Sequence, residues 1–408
     1  MTISLLLGCP NAWGFERTPY GQTKSEIDIA KIPRTAEEPE TFWDFLKDRT
    51  RIGYGFEETY NSNLFLQDNN KQNEYISTLE SEIFFADPRG ALLYGLDWEV
   101  NAFHYHQTNV SAINQDVGAF FDYDPGGRYK FGVDYKLTVR NDLLFTPDQG
   151  DIIRRHLDGK FERTVSHHVN SKLNYALNET DSLTPQVDYD YSDLQINDDS
   201  GADRRVFKAI IDLDHDFKPG WTVFVGSEHQ DIMIPGNKLK NDSVYAARLG
   251  TDYELTGVTD LKFLFKVERH EFQDGQSQTN ASYSFGWNYR PGPRTTVDFT
   301  FEDKRVASFA QNRRQFRSIA PSGSLAYDLT PLTKLTLSSG YTRQTSTTED
   351  LLPGSFGGNI KSTFYNIGPH IQWQIREKSK IVLYYSFSRS KTNDYTDHLI
   401  GFQLEAEL

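Results

Sequence analysis

No eighteen consecutive apolar residues occur anywhere in the 408-residue chain, so it contains no candidate transmembrane helix. With hydrophobic residues at 37%, two classes remain: a soluble protein, or a β-barrel whose lipid-facing side chains alternate with polar ones. Cysteine is nearly missing. The single one, Cys9, stands among the first residues and leaves the rest of the chain no disulfide to form. Positive charge is in deficit, 43 bases against 57 acids for a net charge of -14, and no basic tract occurs. Such a chain repels a polyanion, which excludes nucleic acid as a partner. The nucleophile elbow, the HExxH helix, the P-loop and the dinucleotide fingerprint are all absent, so neither an enzyme nor a cofactor is expected.

Aromatic residues, by contrast, are plentiful at 14%, with 22 Tyr and 28 Phe. Membrane barrels place aromatic girdles at both interfaces. From Arg51 onward the dominant pattern is strict alternation, the period of a strand with two unlike faces. Tyr129, Phe131, Val133, Tyr135, Leu137 and Val139 interleave with Lys130, Gly132, Asp134, Lys136, Thr138 and Arg140. No helix separates those two sets. Leu92 to Val100, Ile113 to Tyr123, Ala281 to Tyr289 and Ile381 to Phe387 behave alike.

Tight Pro/Gly or charged turns recur at residues 87–90, 124–127, 178–182, 218–220, 255–257, 290–293, 329–331 and 376–378. Longer polar segments fall between them, at 61–71, 146–160, 197–203, 235–242 and 347–358. Short turns on one rim and long loops on the other describe an outer-membrane barrel. Eight such turns predict about 18 strands, with both termini on the short-turn side. A propeller would instead repeat a blade motif at constant length, and none is present. The fold class is therefore all-β, a transmembrane antiparallel up-and-down barrel, over residues 51–408.

Two preceding segments are expected. Residues 1–14 read as a truncated signal peptide, with Ala12-Trp13-Gly14 before a cleavage at Phe15, although the basic n-region is missing. Leu6-Leu7-Gly8-Cys9 also matches a lipoprotein cleavage site loosely, which would make Cys9 a lipidated first residue. Residues 15–50 read as a periplasmic segment whose stretch 35–47, with Phe42, Trp43, Phe45 and Leu46, predicts a short helix.

Function must then lie in the lumen. The alternation sets on its wall the acids Glu80, Glu82, Asp97, Glu99, Asp116, Asp122, Asp134, Asp212, Asp214, Glu228, Glu268, Asp298, Glu302, Glu405 and Glu407. The bases of that wall are fewer: Lys130, Lys136, Arg140, Lys208, Lys262, Lys266 and Lys304. A low-dielectric wall with excess negative charge concentrates cations. Phe84, Phe103, Phe120, Phe224, Phe364 and Tyr384 also point inward, where they could stack on sugar rings or pack against an inward-folded segment. The runs Asp212, Asp214, Asp216 and Asp188, Asp190, Asp193 have calcium-ligand chemistry without the spacing of a calcium loop, and because they alternate along strands they read as part of the lumen wall. His104 with His106, and His167 with His168, lack a fixed metal-ligand spacing. No metal site is expected.

The opening Gly53-Tyr54-Gly55-Phe56-Glu57-Glu58-Thr59-Tyr60-Asn61-Ser62-Asn63-Leu64-Phe65 resembles the first hairpin of the family named "putative beta-barrel porin 2". Val382-Leu383-Tyr384-Tyr385-Ser386-Phe387-Ser388 resembles its near-terminal strand. The resemblance spans roughly residues 51–408. It implies an exit port for exopolysaccharide or capsule, with a periplasmic polysaccharide export protein and the polymer as partners besides outer-membrane lipid. It also implies insertion by the barrel assembly machinery, although that machinery reads a terminal phenylalanine and this chain ends in Leu408. Two rival functions need no such partner or polymer: a general or cation-leaning diffusion porin, and a non-transporting scaffold or receptor.

Overall fold

A computed structural model describes residues 49–62, 73–142, 162–195, 203–234, 241–307, 315–346, 360–376, 378–391 and 395–407. The expected signal segment, the helix over 35–47 and most of the longer loops lie outside the described residues. The described chain is a succession of strands: β1 (Thr50–Asn61), β2 (Glu74–Arg89), β3 (Leu92–Tyr105), β4 (Val110–Tyr123), β5 (Tyr129–Asp142) and β6 (Glu162–Ala176). There follow β7 (Asp181–Gln195), β8 (Arg204–Lys218), β9 (Trp221–Met233), β10 (Asp242–Thr256), β11 (Thr259–Phe272) and β12 (Ser277–Gly292). The last six are β13 (Thr295–Ala307), β14 (Gln315–Thr330), β15 (Thr333–Ser346), β16 (Ile360–Arg376), β17 (Ser379–Ser390) and β18 (Tyr395–Glu407). Each pairs antiparallel with the next, and β18 returns to pair with β1. Closure leaves the sheet without an edge, which satisfies every ladder inside a bilayer.

The eight turns that the sequence marks join β2–β3, β4–β5 and so on to β16–β17, all on one rim, where β1 begins and β18 ends. Gly90 and Gly220 hold φ of +60° and +78° in two of them, a region that costs a side chain its backbone ease. A register shift just before the turn recurs in β8, β10, β12, β14 and β16 and tightens the local twist. The opposite rim is less uniform than the sequence suggests, because β3–β4, β11–β12 and β17–β18 are joined there by only four residues each.

Proline cannot donate to a ladder, and the three prolines in strand interiors, away from the turns, each sit at an interruption. Pro185 falls where β6–β7 pairing skips, Pro321 where β14–β15 skips and Pro369 where β16–β17 skips.

One face of every strand points outward and is apolar. Leu79, Ile83, Leu96, Trp98, Ile211, Val225, Leu249, Leu383 and Ile400 stand exposed on it. Aromatic rings bound this band on both sides. Tyr245 and Tyr253 lie eight residues apart on β10, as do Tyr365 and Trp373 on β16. At ~3.4 Å per residue and a tilt near ~40°, that is roughly 20 Å across the membrane, near the ~25 Å of an apolar barrel band.

Candidate functional site: the lumen wall

The ladders decide which side chains share the interior. Glu82, Glu99 and Asp116 stand directly opposite one another on β2, β3 and β4. Glu405, Gly55 and Glu80 form the next row across the closure. Asp97, Asp122 and Asp134 on β3–β5, Asp212, Asp214, Glu228 and Glu268 on β8–β11, and Asp298 and Glu302 on β12-facing positions of β13 all fall on the same inward parity. Glu407 does so opposite Gly53. The inward bases Lys130, Lys136, Arg140, Lys208, Lys262, Lys266 and Lys304 keep that parity too.

Several inward groups escaped the sequence reading: Glu57, Glu74, Asp242, Arg248 and Lys380. Arg248 and Glu57 sit in strands with small or aromatic neighbours, where alternation of charge is weak. Only the neighbouring strand's register shows their orientation.

Two chemistries hold these charges. Across β8–β11 cations and anions alternate: Arg248 Nη1 lies 3.1 Å from Asp212, its Nε 3.7 Å from Glu228, and Lys266 Nζ 3.2 Å from Glu228 and 3.4 Å from Glu268. His270 Nδ1 then hydrogen-bonds Asp242 at 2.7 Å. Asp116 is likewise clamped by Arg140 at 2.9 Å and Lys136 at 3.2 Å, and Asp188 by Lys208 at 2.8 Å. Around the closure, neutral donors dominate instead. Asn101 Nδ2 donates to Glu99 at 2.7 Å, Gln403 Nε2 to Glu80 at 3.2 Å, and Thr59 Oγ1 to Glu57 at 2.9 Å, with the Tyr384 hydroxyl also on Glu57. Lys380 on Glu405, 3.0 Å, is a cationic contact there.

The six inward aromatics are all on the wall, and three have a specific packing role. Phe120 lies over Gly95, Phe224 over Gly250 and Tyr384 over Gly401, so closely that a Cβ at any of those glycines would collide with the ring. Each ring thus fills the gap left by a glycine on the next strand. Phe84 stacks on Phe120 at 6.0 Å between centroids, and Phe84, Phe103 and Phe364 are buried. Phe120, Phe224 and Tyr384 remain partly exposed.

Burial divides the interior. Inward residues of β14–β18 and β1–β4 are mostly buried, whereas Lys130, Asp134 and Lys172 of β5–β6 are exposed. His168 and Asp190, 2.6 Å apart, are 46% and 50% exposed, which marks β5–β7 as the wetted wall. His167 faces outward between Tyr135 and Tyr191, so alternation alone separates it from His168. His104 and His106 bond Ser111 and Ser77. No group of three metal-ligating residues occurs among the described residues. Of the acid runs, Asp214 accepts from Thr184 and Asp216 from Thr222, while Asp193 has outward parity, apart from Asp188 and Asp190.

Residues 266–405 match a family model described as "Putative MetA-pathway of phenol degradation", a different model from the porin family that the first hairpin resembles. No curated protein matches the chain. Among solved structures, a mutant of the ferric enterobactin receptor PfeA of Pseudomonas aeruginosa aligns at TM-score 0.50 and 8% identity, over 88% of this chain and 80% of that one. OccK2 (OpdF) of the same organism, solved in complex with glucuronate, aligns at TM-score 0.48 and 11% identity, over 88% and 97%. Its outer membrane protein opdK aligns at 0.48 and 10%, over 88% and 98%. Closed ladders, an outward apolar band between aromatic girdles and the architecture shared with the PfeA barrel lead to one statement: this chain is an eighteen-stranded barrel of the bacterial outer membrane.

Proposed function

We propose that the barrel is a diffusion channel that favours cationic and neutral solutes. The observation that carries this reading is the inward face of β18 and β1–β3. Among its described residues it sets Glu57, Glu74, Glu80, Glu82, Asp97, Glu99, Asp397, Glu405 and Glu407 against Arg51. A row rich in carboxylates with few cations beside it biases the potential toward negative, and a low-dielectric wall focuses that field into the lumen. Polymer export would use the same lumen, but the glycines beneath Phe120, Phe224 and Tyr384 give those rings a packing reason of their own. The matched family description makes phenolic compounds a candidate cargo. On this wall a neutral phenol passes more readily than an aromatic acid.

The test is a reversal potential in planar bilayers under a KCl gradient. Cation preference is the expected result, and it should fall in Glu82→Gln/Glu99→Gln. Anion preference would overturn the reading. A second reading has its own support: buried inward faces over β14–β18 and β1–β4 suit a scaffold or receptor whose lumen is filled. A correctly folded barrel without steady conductance would favour it.

A further inference from the structure

The inward face of β14–β16 is buried although its side chains are small. Ser338 on β15 is only 6% exposed, yet its neighbours on that face are Ser324, Gly368, Thr336 and Gly340. Side chains that short cannot roof one another, and an open lumen would wet them. The wall of β5–β6 shows that alternative, since Lys130, Asp134 and Lys172 are exposed there. A further part of the same chain therefore lies on β14–β16.

Depth shows from which rim it comes. Thr336 is fully buried and stands near the start of β15, ten residues short of Ser346 at the loop rim, which is roughly 34 Å along the strand. Residues 347–359, which follow Ser346, reach at most about 22 Å if they go in and come back. The turn rim itself is covered at one place. Ala86 and Asp87, at the β2–β3 turn, are 0% exposed, whereas Leu255 and Leu329, at two other turns of that rim, are 51% and 46% exposed. Beside this covered turn stands Arg49, the residue that leads into β1, whose Nε donates to Asp87 at 2.8 Å. The chain that precedes β1 thus meets the wall where the burial begins.

The composition of that segment fits the wall. Phe42, Trp43, Phe45 and Leu46 come just before β1, and the inward Phe84, Ala86, Ala326 and Val382 are buried in the turn-side half. Residues 17–34 carry Arg17, Lys24, Lys31 and Arg34 against Glu26 and Asp28, an excess of bases that complements the acids of β18 and β1–β3.

We propose that residues 15–48 enter the barrel through the turn-side mouth and dock along the inward face of β14–β18 and β1–β2, which leaves the water-filled passage to β5–β7. The placement rests on the buried wall and not on the ion preference of the lumen, so a barrel without conductance leaves it intact.

The test uses the full chain, folded in detergent, with Trp43→p-benzoylphenylalanine. Irradiation should join position 43 to a residue of β14–β18 or β1–β2 within the monomer, as peptide mass mapping reads. A link to another strand, to a loop or to a second copy overturns the proposal, as does the absence of any link. Thiol access gives an independent reading. In a Cys9→Ser chain, Ser338→Cys should react with a charged methanethiosulfonate at least about tenfold more slowly than Lys172→Cys. Adding Phe42→Ser/Trp43→Ser/Phe45→Ser should erase most of that difference. Equal rates before the addition, or protection that survives it, overturn the proposal. Heat-modifiable gel mobility reports whether each barrel has closed; if Ser338→Cys does not close, Ser386→Cys, also inward and buried, takes its place.

Discussion

The wall at β8–β11 and the wall at β18–β3 both bury inward acids, and they treat them in opposite ways. At β8–β11 Glu228, with 6% of its side chain exposed, shares two cations with Asp212 and Glu268. At β18–β3 carboxylates stand opposite carboxylates, as Glu82 does Glu99, and are held by amides and hydroxyls. The first arrangement cancels its own field and depends on every partner being present. The second sets acid against acid with few cations and accepts a cost in repulsion, since like charges directly opposite destabilise a sheet. A wall of paired charges and a wall of facing acids thus coexist in one cylinder.

The largest test of this contrast removes a shared cation. Arg248→Ala should lower stability by about 3–5 kcal/mol, because Glu228 and Asp212 lose a partner while remaining buried. Urea unfolding in detergent reads this as a shift of midpoint. The ring-over-glycine joints occur in both walls and control for packing. Gly250→Val under Phe224 and Gly401→Val under Tyr384 should each cost about 1–3 kcal/mol. If the two losses differ widely, packing rather than charge distinguishes the walls.

Smaller effects sharpen the other side. Glu99→Gln keeps the acceptor for Asn101 and removes the middle charge between Glu82 and Asp116, so it should raise stability by about 0.5–1 kcal/mol. A loss of stability there would mean that the row holds a cation in the folded barrel. The smallest effect belongs to the wetted wall. Lys130 and Asp124 pair at 2.9 Å but are 63% and 48% exposed, and Lys130→Gln should move the midpoint by less than about 0.5 kcal/mol.

Much of the fold was legible because a strand between lipid and lumen must alternate. The run from Tyr129 to Val139 separates its faces without help from any neighbour, and the Pro/Gly turns divide the chain at their true positions. The inward parity of the acids followed from the same period. Their roles did not. Glu228 and Glu99 look alike as acids on alternating strands, yet one meets Lys266 and the other meets Glu82, according to which residue of the next strand lies opposite. The inward rings were legible as inward, but the glycines beneath Phe120, Phe224 and Tyr384 are 25, 26 and 17 positions away in the chain.

Composition and period, set by the chain itself, determined that one face of each strand is apolar, that the other is acid-rich, and that the segments are long enough to cross a bilayer. Closure and register, which only the assembled cylinder has, decided which charges neutralise one another and which rings fill which gaps. The reason is physical: alternation is a property of a single strand, whereas pairing energy belongs to two residues brought within about 5 Å by a ladder that no local pattern encodes.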